Sequence, residues 1–198
     1  MRRNICQYNS VFTTMRPNIM LLGHSYVQRL SSYMERHHRS LGELGLHANV
    51  TVVAQGGATV ERVNQELRWN HSVHYADVVY LHVGENDYGT RPAHVTARAI
   101  VSLAMIMLQQ RGVGCVVIAE LIRFPVHQTN WCCRVNRCLR RLVADVCEPG
   151  IVLWRQWREF SNPRSSVFDT HGVHLHNSCM MLYWQMVRQA VNVGLRRQ

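Results

Sequence analysis

A chain of 198 residues, 47% hydrophobic and 17% charged, carries enough apolar material for one buried core, which excludes a disordered tail, a collagen-like repeat and a coiled coil. At this length roughly 70% of the unfolded surface is buried on folding, so neither disulfide staples nor a structural metal is required. The formal charge of +10 comes from 22 basic residues, every one an arginine, against 12 acidic ones. Such an excess suits an acidic partner such as RNA or a membrane surface, and equally a solvated basic exterior. The 7 cysteines are odd in number and include no CxxC pair, so they read as reduced thiols. The opening MRRNICQYNSVFTTMRP lacks the apolar core of a signal peptide, and the longest nearly apolar run, Ala99 to Leu108, is too short for a membrane span. An intracellular chain, cytoplasmic or nuclear, is expected.

Residues 1–16 are polar and show no sustained period, which predicts a loosely ordered N-terminal arm before a single domain over 17–198. Within that domain, short apolar runs alternate with segments of helical period, the pattern of βα units around a parallel sheet. Five runs, Asn18 to Leu22, Val50 to Ala54, Asp77 to Val83, Cys115 to Leu121 and Ile151 to Trp154, are continuous enough for strands covered on both faces. Ile100, Leu103, Ala104, Met107 and Leu108 predict one helical face, with Pro92 suited to its first turn. Val135, Leu139, Leu142, Val143 and Val146 predict another, whose outer side carries Arg134, Arg137 and Arg141. A last helix, Ser178 to Val193, turns Met180, Tyr183, Trp184, Val187 and Val191 inward.

Ligands of an open parallel sheet gather beyond the carboxyl ends of its strands. That rule selects Gly23-His24-Ser25, Gln55-Gly56-Gly57-Ala58, Gly84-Glu85-Asn86-Asp87 and, before the final helix, His171-Gly172-Val173-His174-Leu175. Singly, Ser25 reads as a helix cap, Gly56 and Gly57 as a turn, Asn86 and Asp87 as a loop, and His174 as a polar residue near a helix start. Together they supply a hydroxyl nucleophile, a base and amide donors on one rim.

In their order these blocks resemble those of the SGNH hydrolases, the GDSL-like esterase superfamily, over nearly all of 17–198. IMLLGHSY matches the first block with His24 in place of an acid, Gly57 matches the second, Gly84, Asn86 and Asp87 complete a GxND third, and HGVHL stands where the family has DxxHL. The resemblance implies a three-layer α/β/α, flavodoxin-like fold. It also implies a cofactor-free attack of Ser25 on the carbonyl of a small-molecule carboxylic ester, with His174 as base. The Ser25 and Gly57 amides and the Asn86 side chain would form the oxyanion hole. No GxSxG elbow is present, which disfavours an ordinary α/β-hydrolase.

The family's orienting Asp, three residues before the histidine, is replaced by His171, and the nearest acid is Asp169. Three outcomes stand open: a backbone carbonyl orients His174, Asp169 does so, or the site is inactive. In the last case the chain is an SGNH-fold interaction module, of retroelement origin by the resemblance of its GHS block, that binds RNA or an acidic partner through its arginines. His24 either steadies an oxyanion as a cation or packs against the strand end. His171, His174 and His176 match no metal spacing, His82 reads as a hydrogen-bonded core residue, and no metal or cofactor is expected.

Overall fold

In a computed structural model, which describes residues 15–43, 45–69, 73–122, 129–161, 167–169 and 172–197, the apolar runs form one parallel sheet. The strands are β1 (Asn18–Gly23), β2 (Asn49–Ala54), β3 (Val78–His82), β4 (Cys115–Ala119) and β5 (Ile151–Trp154). Their order, β2-β1-β3-β4-β5, is the flavodoxin-like one, with the chain reversing its direction of progress between β1 and β3. The proposed arm, residues 1–16, lies almost wholly outside the described residues.

The central strands are dry because nearly all their residues are apolar, and His82 is hydrogen-bonded at both ring nitrogens. Val78, Val79, Tyr80, Leu81 and His82 of β3 are fully buried, as are Cys115 to Ile118 of β4. The edge strands β2 and β5 are only partly covered. Helices α1 (Ser25–Arg36) and α6 (Met180–Leu195) pack against each other, α1 on β1 and β2 and α6 on β3 and β4. Helices α2 (Val60–Trp69), α3 (Ala93–Arg111) and α4 (Thr129–Val146) pack in sequence, with α3 on β4 and α4 on β5. A short α5 (Arg158–Ser161) follows β5. This is the three-layer α/β/α arrangement expected from the sequence.

Two strands stop earlier than their hydrophobicity suggests, for local reasons. Leu121 leaves the ladder because its N–H donates to Asn136 Oδ1 at 2.8 Å and its carbonyl accepts from Asn136 Nδ2 at 2.9 Å, which ties the end of β4 to α4. β3 ends at His82, where Gly84 takes φ +130° and turns the chain into a 3-10 turn, Glu85–Asp87. Between β1 and β3 the backbones approach so closely that a Cβ on Gly23 would lie 2.3 Å from the His82 carbonyl oxygen. Glycine is required there for contact rather than for conformation. The seam it closes opens onto the rim where the sequence blocks meet.

Candidate active site

Ser25 is the first residue of α1, with His24 at the N-cap position. Amide groups at a helix start have no intrahelical acceptor, and the dipole favours negative charge there. Gly57 holds φ +74° in the turn after β2, with nothing within 4 Å of the position a Cβ would occupy. Asn86, in the 3-10 turn after β3, donates through Nδ2 to the Ala58 carbonyl at 3.0 Å. That bond uses one of its two amide hydrogens and couples the second and third blocks. The buried Asp87 carboxylate accepts the Val60 N–H at 3.0 Å and so fixes the start of α2 to the same turn.

His174 reaches this rim from the far end of the chain. Its loop is held by an isolated antiparallel bridge between Phe168 and Leu175, and by the Asp169 N–H donating to the His174 carbonyl at 2.7 Å. The Tyr26 hydroxyl, one residue beyond Ser25, donates to the Val173 carbonyl at 2.8 Å. Asp169 Oδ2 lies 3.6 Å from His174 Nδ1. Burial and then the charge of Arg29 lower the His174 pKa, against a smaller opposing pull from Asp169. Among the described residues no direct hydrogen bond links Ser25 to His174. Of the two acids and bases considered beside His174, Asp169 is the one found there, and His171 lies outside the described residues.

The residue that the sequence reading passed over is Glu85. It is 3% exposed and accepts three hydrogen bonds, from His24 Nε2 at 2.7 Å, His82 Nε2 at 2.9 Å and the Ile122 N–H at 2.9 Å. Burial by itself would raise its pKa, but the two imidazoles outweigh that and hold it well below the usual carboxylate range. Burial pulls His82 down, in keeping with a neutral ring that donates from Nε2. Its Nδ1 then accepts from the Tyr183 hydroxyl at 2.6 Å, which burial keeps protonated. His24 is both packed, against Tyr26 and His82 at ring distances of 5.0 and 5.1 Å, and hydrogen-bonded. A signal for Glu85 existed: it is the acid that closely follows His82, at the strand end adjoining that of His24.

His24, His82 and Glu85 bring donor atoms within 4.8 Å of one another, which raises the question of a metal. The geometry does not fit one. Ligands of a tetrahedral zinc stand about 3.3 Å apart, whereas these nitrogens and oxygens touch at 2.7 and 2.9 Å, the spacing of a shared proton.

No family model matches this chain, and no curated protein matches it. Solved structures do. A lipase/acylhydrolase from Enterococcus faecalis superposes with TM-score 0.67 at 15% identity, covering 89% of this chain and 96% of that one. A member of the lipolytic G-D-S-L family from Veillonella parvula gives TM-score 0.65 at 13% identity, covering 91% and 99%. The fold is that of the SGNH hydrolases. An acetyl xylan esterase shares this SGNH fold with TM-score 0.68 at 15% identity, covering 88% of this chain and 99% of that one.

Proposed function

We propose that the chain is an SGNH-type serine ester hydrolase in which Ser25 is the nucleophile and His174 the base. The reading rests above all on the Tyr26 to Val173 hydrogen bond, which ties the imidazole's loop to the helix that begins with Ser25. In this mechanism Ser25 Oγ attacks the ester carbonyl as its proton passes to His174, through a water or after a small closing of the loop. The carbonyl oxygen takes up charge before the Ser25 and Gly57 amides and the second Asn86 amide hydrogen, and His174 returns the proton to the departing alcohol. Asp169, whose Oδ2 lies 3.6 Å from His174 Nδ1, favours the transient imidazolium. The lowered pKa of His174 keeps it unprotonated at neutral pH.

The test is labelling by a fluorophosphonate probe together with acetyl ester turnover in wild type, Ser25→Ala and His174→Ala. Ser25→Ala should lose both, and His174→Ala should lose turnover by about two to four orders of magnitude. Equal turnover in all three overturns the reading.

A second reading draws on a separate feature. A groove of about 720 Å³ runs beside the 3-10 turn, walled by Tyr88, Trp131, Arg91, Arg134, Arg137 and Arg141, with no carboxylate in its lining among the described residues. It suits an anionic partner such as single-stranded RNA. Binding of an RNA oligomer that falls with added salt and is lost in Arg134→Gln/Arg137→Gln/Arg141→Gln supports this reading; salt-independent binding rejects it.

A further inference from the structure

The hydrogen-bond directions around Glu85 fix the tautomer of His24, and with it what His24 presents to Ser25. An ionised carboxylate offers no proton, so His24 must donate from Nε2 to Glu85 Oε2 across 2.7 Å. In the neutral ring the other nitrogen, Nδ1, then carries the lone pair, and it lies 3.4 Å from Ser25 Oγ. Carboxylate, imidazole and hydroxyl stand in sequence, as in a serine hydrolase triad, but through residues buried at the β1 and β3 strand ends. By contrast, the Asp169 to His174 contact is 3.6 Å, and among the described residues the ring makes no direct bond to Ser25.

We propose that Ser25 has a second base, His24, held in its working tautomer by Glu85. The inference rests on Ser25 being the nucleophile and adds a route that does not pass through His174. As the bond from Ser25 Oγ to the acyl carbon forms, the carbonyl π pair moves onto oxygen and the hydroxyl proton moves to His24 Nδ1. The resulting imidazolium keeps its Nε2–H on Glu85, whose negative charge offsets the new positive one. On collapse the bond from carbon to the alcohol oxygen breaks, and the Nδ1 proton goes to that oxygen. Water then attacks the acyl-serine and passes its proton to the same nitrogen, which returns it to Ser25 Oγ as the acid departs. His82 and Tyr183 complete the structural side of the arrangement, because they satisfy the second Glu85 oxygen and keep it from rotating away from His24.

The experiment measures the rate at which a fluorophosphonate labels Ser25, by intact mass, across about pH 5 to 9 in His174→Ala, His24→Gln and the double variant. The charged and titratable groups facing His24 are Glu85 and Asp87 of the 3-10 turn, His82 of β3, Tyr26 of α1 and His174, and the double variant alters none of them beyond those in the single variants. Glutamine places an amide N–H where Nε2 stands, so it keeps the bond to Glu85 but has no basic nitrogen toward Ser25. The expected result is that His174→Ala labels about 100-fold faster than the double variant, with a rate rising with pH that the double variant lacks. Equal rates and profiles in the two, or no labelling of His174→Ala above Ser25→Ala, overturn the proposal. A side-chain nitrogen spectrum of the wild type provides a check free of any substitution: a proton on His24 Nδ1 instead of Nε2 overturns the proposal. Full labelling in Ser25→Ala would instead remove the nucleophile itself, and with it the esterase reading.

Discussion

Glu85 carries charge into the core, and acid should therefore loosen the protein there first. A carboxyl whose folded pKa is depressed binds fewer protons than in the unfolded chain, so its stabilisation is fully present above the ordinary value of 4.5 and is lost as pH falls below it. Thermal unfolding followed from about pH 6 downward should show this slope in wild type and not in Glu85→Gln. At neutral pH that variant should be less stable by roughly 3 kcal/mol, since the amide NH2 replaces one acceptor oxygen and so opposes the donor or donors that bond it, His24 on one side or His82 and the Ile122 N–H on the other. The pH dependence of the reaction has the opposite origin. With its pKa lowered from 6.5, His174 should give an ester turnover that rises to a plateau with a midpoint below that value. Asp169→Asn removes the contribution that raises this pKa, so the midpoint should move lower still, while turnover falls by less than the roughly 10⁴-fold that the orienting acid is worth in a serine protease. The placement of Ser25, Gly57 and Asn86 just beyond strand ends was legible in the sequence because the apolar runs mark where the strands stop. Glu85 was not, because a charge between Gly84 and Asn86 looks like loop until its burial is known.

At the level of elements, two side chains hold the rim together, and each makes a measurable contribution. Tyr26→Phe deletes the hydroxyl that holds the Val173 carbonyl, so turnover should drop while stability falls by only about 1 kcal/mol, a split visible by comparing ester kinetics with thermal unfolding. Asn136→Ala strands a buried N–H and carbonyl of Leu121, which should cost roughly 3 kcal/mol and lower the unfolding midpoint by about 6–12 °C. The strands themselves were readable from apolar runs alone, since a sheet covered on both faces leaves no room for alternation. The stop of β4 at Ala119 was not readable, because Leu121 is as apolar as its predecessors and only the reach of Asn136 removes it from the ladder. For the same reason the 3-10 turn that begins with Glu85 shows in the sequence as little more than a glycine followed by polar residues.

Across the whole molecule, the parallel order β2-β1-β3-β4-β5 explains why one rim collects residues from so many segments: every strand points its carboxyl end the same way. Among the described residues cohesion comes from apolar packing without disulfide cross-links. Cys115, Cys133, Cys138, Cys147 and Cys179, among the described residues, are free thiols, and burial pushes Cys115 up to about 11, so the unfolding midpoint should not change on adding reductant. Among the described residues no helix is long and apolar enough to cross a membrane. The Tyr26 to Val173 clasp joins positions 147 residues apart. On the ribosome, then, the hydroxyl proposed as nucleophile is synthesised long before the imidazole proposed as its base, and any product of premature termination ahead of that clasp lacks the second of the two. Under the proposed esterase reading, Ser25 acquires His174 as its base only after the segment that carries Val173 has been made and has reached Tyr26, so the order of synthesis itself restrains the unfinished polypeptide.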